Sequence, residues 1–358
     1  MQWGHRDRGR RWGGGVVRCR IARVALLATL CGAAVPSFAA PSDEFPVPPD
    51  LAPAVRFWVD VFTRYSRDDF VIHDRLELGR VYEVVRGVRN AGEVAAEAQR
   101  IADRVALQGL WGVDPFERLL RPGLEARAAA LGAGRVRVQR GMREVFAAGL
   151  LGARRYRRIV ERALEQEGLP RALAALPLVE SSYNPDATSS AGAAGIWQLT
   201  AETGQRFLRV SERVDERRDP VRATQAAARL LRSLHDALPA WPLAVTAYNH
   251  GLAGVERARR AVGSDDLGVL VTRYAGPGFG FASRNFYAEF VAASQVLRHV
   301  ERYFPEIAPD RIIEYQVKRG DSLFKVARRH GITVPKLCAT NGLRSAKLQP
   351  GQVLLIRL

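Results

Sequence analysis

One acidic residue in this sequence stands where a carboxyl group could act as a proton donor. Glu180 follows the apolar run from Leu176 to Val179, and Asn184-Pro185 comes shortly after it. Because a proline pushes the preceding residue out of helical conformation, the pattern predicts that Glu180 lies near the end of a short helix. Apolar surroundings disfavour the charged carboxylate and raise its pKa, which suits Glu180 to general acid catalysis near neutral pH.

A loop rich in glycine, serine and alanine follows Glu180 and ends in Trp197-Gln198. A helix end, this loop and the Trp-Gln pair together describe one wall of a saccharide cleft. Further along, Ala247 to Gly251 reads Ala-Tyr-Asn-His-Gly, and Phe281 to Tyr287 is rich in aromatic residues. The sequence has no His-Glu-x-x-His motif and no paired Cys/His spacing, so neither a metal nor another cofactor is expected.

The stretch around Glu180 resembles the soluble lytic transglycosylase (SLT) domain, which has a goose-lysozyme-like fold. The positions that carry the resemblance are Glu180 to Pro185, Ala187, Ser189, Gly192, Ala193, Gly195, Trp197 and Gln198. Tyr248 and Asn249 lie in a match to the family's Ala-Tyr-Asn-x-Gly signature, and Phe281 to Tyr287 resembles the segment that closes the family's cleft. Val136 to Gly141 is similar to a lead-in found upstream of the catalytic domain in membrane-bound members.

The resemblance implies cleavage of the MurNAc-GlcNAc β-1,4 bond of peptidoglycan. Glu180 would protonate the leaving oxygen and then accept the proton of the MurNAc C6 hydroxyl, which attacks its own anomeric carbon to form a 1,6-anhydro sugar. The 2-acetamido group of the sugar would stabilise the cation.

The resemblance also implies roles for other residues in the cleft. Ser189 and Gln198 would hydrogen-bond the sugar, Tyr248 would orient Glu180, and Asn249 would contact substrate. Tyr287 is predicted as a further substrate contact, although the sequence leaves open whether Phe286 or Tyr287 faces the cleft.

A second unit is predicted at the carboxyl end. Residues 315–356 read as strand, helix, helix, strand and resemble a LysM domain. Such a domain binds glycans that contain N-acetylglucosamine between its first strand-helix loop and its second helix-strand loop. The predicted glycan-binding residues are Gly320, Asp321, Ser322, Leu323, Leu348, Pro350 and Gly351.

Two other functions stay open at this stage. A hydrolytic muramidase would use a second carboxylate as nucleophile or base, and Asp186 is the nearest other acid in the motif. A non-catalytic wall-binding scaffold would rely on the LysM domain alone. The expected partner in each case is the peptidoglycan glycan strand, and the oligomeric state stays undetermined.

Charge and the first forty residues bear on location. The chain of 358 residues carries a net charge of +17 and keeps +11 without its first 39 residues, so it favours acidic polymers or surfaces. Arginines precede the apolar run Val24 to Leu30, and Ser37-Phe38-Ala39 offers small residues for cleavage, a pattern typical of a signal peptide. The signal peptide predicts export to the periplasm or cell envelope, where the protein would associate with the wall or a membrane surface. Leu30, directly before Cys31, argues against lipidation of that cysteine. Nucleic acid is not an expected ligand, because no binding motif accompanies the charge.

The predicted fold is mainly α, with a lysozyme-like helical catalytic domain between a helical N-terminal region and a small βααβ LysM domain. The predicted boundaries are 1–40 for the signal peptide, 41–150 for the helical N-terminal region, 151–305 for the catalytic domain and 310–358 for LysM. Within the N-terminal region, Val81, Val84, Val85 and Val88 keep helical spacing, so a helix is expected there.

Overall fold

The computed structural model describes residues 44–87, 90–109, 134–307, 312–343, 345 and 347–357. The predicted signal peptide, residues 1–40, lies outside these residues. The described chain divides into a first compact unit that ends at Arg298 and a second that begins at His299. The mainly helical fold predicted from the sequence is confirmed.

Ten of the helices described belong to the first unit. They are α1 Ala52–Thr63, α2 Ala91–Gly109, α3 Arg143–Gln166, α4 Leu176–Ser181, α5 Ala201–Gln205, α6 Pro220–Ala237, α7 Trp241–His250, α8 Leu252–Val262, α9 Leu267–Arg273 and α10 Phe281–Arg298. A short helix, α11 Val300–Tyr303, begins the second unit.

Helix α10 lies at the centre of the first unit. Its buried residues include Phe286, Ala288, Phe290, Val291 and Ala292, and it packs against α1, α4 and α7. Because neighbouring helices cover much of its surface, eleven of its 18 residues are buried, as expected for a central helix. Polar side chains on α10 can therefore act on residues of the short helix α4, which packs against it.

A three-stranded antiparallel sheet precedes α3. Its strands are β1 Phe70–Asp74, β2 Val81–Val85 and β3 Val136–Arg140, in the order β2-β1-β3. The helix predicted through Val81, Val84 and Val85 is therefore wrong. Valine at these spacings satisfies a helical period, but β-branched side chains fit a pleated strand better, and pairing with β1 decided the outcome.

The predicted boundary at residue 150 does not separate two compact units. Helix α3 runs through that position, and α1 packs against both α3 and α10. On α1, Phe57, Trp58, Val61 and Phe62 are buried, which explains the aromatic spacing of this helix as core.

The second unit contains a small βααβ domain. Its elements are β4 Ile312–Gln316, α12 Leu323–Arg329, α13 Val334–Asn341 and β5 Val353–Arg357, with β4 and β5 paired antiparallel. Its core is formed by Val317, Leu323, Val326, Ala327, Leu337, Leu354 and Ile356. This is the LysM arrangement predicted from the sequence.

Candidate active site

Glu180 lies in the last turn of α4, as predicted. Pro177 begins this helix well because its fixed φ suits the first turn, and Ser182 ends it in left-handed conformation at φ 54°. The Glu180 side chain is 2% exposed, and its Oε2 has no hydrogen-bond partner among the described residues. Burial, together with the nearby charge of Glu289, raises the pKa of Glu180 from 4.5 to about 8. The side chain is therefore protonated at neutral pH and can donate a proton.

The backbone around Glu180 is strained. Ser182, Tyr183 and Gln198 are the non-glycine residues of the described chain with positive φ, at 54°, 57° and 46°. L-residues adopt this conformation at a cost of about 1 to 2 kcal/mol each, so the surrounding packing must impose it. Tyr183 is fixed because its hydroxyl donates to the Ala174 carbonyl at 2.5 Å, and both groups are buried. Strain of this kind is concentrated at the two ends of the segment that covers Glu180.

The segment from residue 183 to 199 folds back onto α4. The Ser181 hydroxyl donates to the Ile196 carbonyl at 2.9 Å, which links the residue after Glu180 to the end of the segment. Trp197 is fully buried, and its indole N–H donates to the Thr224 hydroxyl on α6 at 2.9 Å. These two hydrogen bonds fix the position of the segment against α4 and α6.

Two arginines that sequence reasoning missed hold this segment from outside. The Arg217 guanidinium donates to the carbonyls of Gly192 and Leu199 at 2.9 and 3.1 Å and pairs with Asp215 at 2.8 Å. Arg218 donates to the Asp186 carbonyl at 3.0 Å. Both arginines belong to the charged cluster Asp-Glu-Arg-Arg, residues 215–218. This cluster is the one sequence signal that could have indicated a polar contact.

Gly195 is required by this packing. It has φ 78°, and a Cβ at this position would lie 1.9 Å from the Arg217 carbonyl oxygen. Gly192 has the same φ, but a Cβ there would meet nothing within 4 Å. The two glycines of the motif therefore have different roles: Gly195 permits close backbone approach, whereas Gly192 only permits a turn.

Tyr248 lies close to Glu180 but does not donate to it. Its hydroxyl donates to the Trp197 carbonyl at 2.7 Å. Burial raises the pKa of Tyr248, and the charge of Glu180 adds to this effect. The prediction that Tyr248 orients Glu180 directly is therefore corrected: the tyrosine binds the backbone of the segment that covers the glutamate.

The residues after Tyr248 form a small polar cluster with α10. The Ser283 hydroxyl lies 3.1 Å from His250 Nδ1 and 3.4 Å from the Asn249 side-chain oxygen. Burial lowers the pKa of His250, and so does Arg257. Asn249 is half-buried at the end of α7, so a role in binding substrate remains a prediction.

A second carboxylate, Glu289 on α10, was not predicted. It is the acidic side chain whose charge acts on Glu180, and burial raises the pKa of Glu289 whereas Arg137 lowers it. Asp186, the acid considered from the sequence, is exposed in a turn where its backbone N–H binds the Asn184 side chain. Neither carboxylate takes the place of Glu180, which is the most deeply buried of the three.

The other predicted cleft residues have mixed positions. Ser189 is half-buried, and its hydroxyl accepts the Ala193 N–H at 3.0 Å. Gln198 is buried; its amide donates to the Gly195 carbonyl at 2.9 Å, and its Oε1 has no partner among the described residues. Contact of either with a sugar stays a prediction.

Tyr287 is not a cleft residue. It is 1% exposed, and its hydroxyl donates to the Pro46 carbonyl at 2.8 Å. Phe286 is also buried, at 4% exposure. Neither Phe286 nor Tyr287 therefore faces the cleft, because α10 is a central helix and both side chains lie in the core.

In the LysM domain, the two predicted loops meet. The Gly351 N–H donates to the Val317 carbonyl at 2.8 Å, and the Val317 N–H donates to the Gln352 carbonyl at 2.8 Å. Gly320 and Gly351 supply the positive φ that these turns need, at 85° and 89°. The predicted glycan-binding groove between the loops stays a prediction.

Individual LysM residues differ in their exposure. Leu323 is buried in the core, so its side chain is corrected from glycan contact to packing, whereas the next residue, Phe324, is 65% exposed. The Asp321 carboxylate accepts from the Tyr315 hydroxyl at 2.6 Å, and the Ser322 hydroxyl caps α12. Pro350 is exposed and Leu348 is half-buried against the core. Phe324 ends the first of the two predicted loops, Gly320 to Phe324, and its contact with a glycan stays a prediction.

Among the described residues, each helix is too short or too polar to span a membrane. None of their His, Cys, Asp and Glu side chains cluster as a metal site would require.

Comparison with known proteins places this geometry in a class. Residues 158–267 match the family model of the Transglycosylase SLT domain, and residues 315–357 match that of the LysM domain. The chain therefore contains an SLT domain of the lysozyme-like class followed by a LysM domain.

Several of its curated relatives are named lytic murein transglycosylases. Membrane-bound lytic murein transglycosylase D of Escherichia coli K12 is 30% identical over 192 residues, which cover 52% of this chain and 42% of the relative. Membrane-bound lytic murein transglycosylase F of Thiobacillus denitrificans is 36% identical over 147 residues, which cover 37% of this chain and 29% of the relative. This chain thus spans less than half the length of either relative.

A solved structure also matches at low similarity. It is an inactive mutant of the lytic transglycosylase Slt from Pseudomonas aeruginosa, with 17% identity and a TM-score of 0.35 over 61% of this chain and 38% of that one.

Proposed function

We propose that this protein is a peptidoglycan lytic transglycosylase that cleaves the MurNAc-GlcNAc β-1,4 bond and leaves a 1,6-anhydro-MurNAc end. The observation that carries the proposal is the buried carboxyl group of Glu180, whose pKa is raised to about 8 by burial. Glu180 lies within the residues that match the SLT domain. A group protonated at neutral pH can begin the reaction only as an acid.

The bonds and protons balance with this one residue. The Glu180 proton passes to the glycosidic oxygen as the bond from that oxygen to C1 breaks. The resulting carboxylate accepts the proton of the C6 hydroxyl as O6 bonds to C1, which returns Glu180 to its acid form. No water is consumed in this reaction. The burial of Glu180 beside the hydrogen-bonded residues Ser181, Trp197 and Tyr248 is therefore compatible with it.

Binding to the wall is assigned to the LysM domain. Its two loops form a continuous edge, and the exposed Phe324 offers an apolar face to a sugar ring. The surplus of basic residues favours approach to a polymer that carries stem-peptide carboxylates. We further propose that the protein is exported and acts in the periplasm or cell envelope as part of wall remodelling.

The experiment compares muropeptide release from purified sacculi by the wild type, Glu180→Gln and Glu212→Gln. Glu212 is exposed in the same unit and makes no hydrogen bond with a described residue, so it controls for the loss of one charge. General acid-base groups contribute about 10²- to 10⁴-fold to rate, so Glu180→Gln should lose at least two orders of magnitude and Glu212→Gln almost none. Comparable activity of all three proteins would refute the assignment.

A further inference from the structure

A pocket with no role in the sequence analysis opens beside the three-stranded sheet. Its volume is about 200 Å³, and it lies between the end of β1, the start of β3 and the start of α10. Its lining includes Arg75, Leu76, Phe279, Phe281 and Arg284.

The pocket is positively charged. Arg75 and Arg284 both line it, and Arg137 packs its guanidinium over the Phe281 ring at 4.0 Å. Burial lowers the pKa of both Arg137 and Arg284, and the charge of Arg75 lowers each further. Among the described lining residues there is no acidic side chain. Glu289 offsets part of the charge of Arg137.

Arg75 is the arginine that is free to bind a ligand. The Arg284 guanidinium donates to the carbonyls of Val271, Tyr274 and Phe279, so it is fixed in place. The Arg75 side chain is exposed and makes no hydrogen bond or ion pair with a described residue; only its backbone N–H is used, by the Arg135 carbonyl. A planar guanidinium with free donors matches the geometry of a carboxylate.

Helices α7 and α10 connect the pocket to the candidate active site. The Phe279 ring contacts the His250 ring edge-on with centroids 5.0 Å apart, and His250 follows Tyr248 by two residues on α7. On α10, Glu289 lies two turns beyond Phe281 and acts on Glu180. A group that extends sideways from a sugar in the cleft would therefore meet this surface.

We propose that this pocket binds a carboxylate of the stem peptide carried by the glycan, with Arg75 as the principal ligand. The inference rests on the proposed function and adds to it a preference for peptide-bearing over peptide-free strands. The apolar rings of Phe279 and Phe281 strengthen the interaction, because they exclude water from one side of the ion pair.

Binding is measured in the Glu180→Gln background, so that the substrate persists. The probes are a soluble peptide-bearing muropeptide oligomer, the same oligomer with its carboxylates amidated, and a peptide-free oligomer. Arg75→Ala should weaken binding of the first by about three- to tenfold, the range expected of one partly exposed ion pair, and leave the other two unchanged. Arg75→Lys should restore only part of the affinity, because it keeps the charge and loses the planar fork.

Arg56→Ala is the matched control, since Arg56 is an exposed arginine on α1 whose side chain makes no hydrogen bond or ion pair with a described residue. Equal affinity of Arg75→Ala and its parent for the free-carboxylate oligomer would overturn the inference. An equal loss on the amidated or peptide-free oligomer would also overturn it, since Arg75 would then act without reading the carboxylate. Turnover of the peptide-free oligomer by the protein with Glu180 intact tests the proposed function separately.

Discussion

The buried carboxyl of Glu180 should make the first unit less stable as pH rises. The pKa of this group is about 8 in the folded protein against 4.5 for an unperturbed glutamate. Between these values the folded state holds a proton that the unfolded chain has released, so stability falls with increasing pH. Each pH unit in this window costs about 1.4 kcal/mol, which amounts to about 3 kcal/mol at pH 7 and about 5 kcal/mol at pH 8 and above.

Glu180→Gln removes this cost, because a neutral amide of the same shape has no proton to lose. The variant and the wild type should therefore have similar free energies of unfolding well below pH 4.5, where the glutamate is protonated in both states. Above pH 8 the variant should be more stable by about 5 kcal/mol. Glu289 has a pKa raised in the same direction and its charge acts on Glu180, so the difference between the two proteins reports Glu180 together with its interaction with Glu289.

The assay is urea unfolding at a series of pH values, followed by tryptophan fluorescence. All six tryptophans lie before residue 299, so the signal reports the first unit and not the LysM domain. Glu212→Gln serves as control and should differ from wild type by a small constant amount. If the difference between Glu180→Gln and wild type is the same at pH 5 and pH 9, Glu180 is not desolvated and the argument for a general acid fails.

Three other predictions concern the segment over Glu180 and the second unit. Gly195→Ala should abolish activity and lower the melting temperature, because its Cβ would overlap the Arg217 carbonyl. Gly192→Ala should cost only the strain of the left-handed conformation, about 1 to 2 kcal/mol. Similar melting temperatures of the two variants would contradict this. Tyr248→Phe removes one partly buried hydrogen bond and should cost about 1 kcal/mol in unfolding experiments together with a loss of turnover; a variant with full activity would show that the hydroxyl is dispensable. Deletion of residues 310–358 should weaken co-sedimentation with sacculi and leave turnover of short glycan chains nearly intact, whereas equal loss of both would show that LysM is part of the catalytic fold.

Local sequence was enough to predict Glu180 and the helix that carries it. An apolar run, a proline at the start and an Asn-Pro pair after the end act over a few residues, so they determine α4 without knowledge of the rest of the chain. The βααβ order of the LysM domain was predictable for the same reason, because its capping serine and threonine directly precede its helices.

Long-range packing explains what the sequence did not reveal. Glu289 follows Glu180 by more than one hundred residues, and one acid in an aromatic-rich helix looks like an ordinary exposed position. Tyr287 fitted a family segment, yet its hydroxyl is held by Pro46 from the other end of the unit. The valines of β2 satisfy helix and strand spacings alike, and only pairing with β1 distinguishes them.

We propose that the Glu180 carboxylate regains its proton from the substrate's own C6 hydroxyl rather than from water. The most direct measurement is mass spectrometry of the products released from purified sacculi by the wild type. The account predicts muropeptides that are lighter by one water than their hydrolysed counterparts and have no new reducing ends. Products with reducing ends and the full mass would contradict it and would identify the protein as a hydrolytic muramidase.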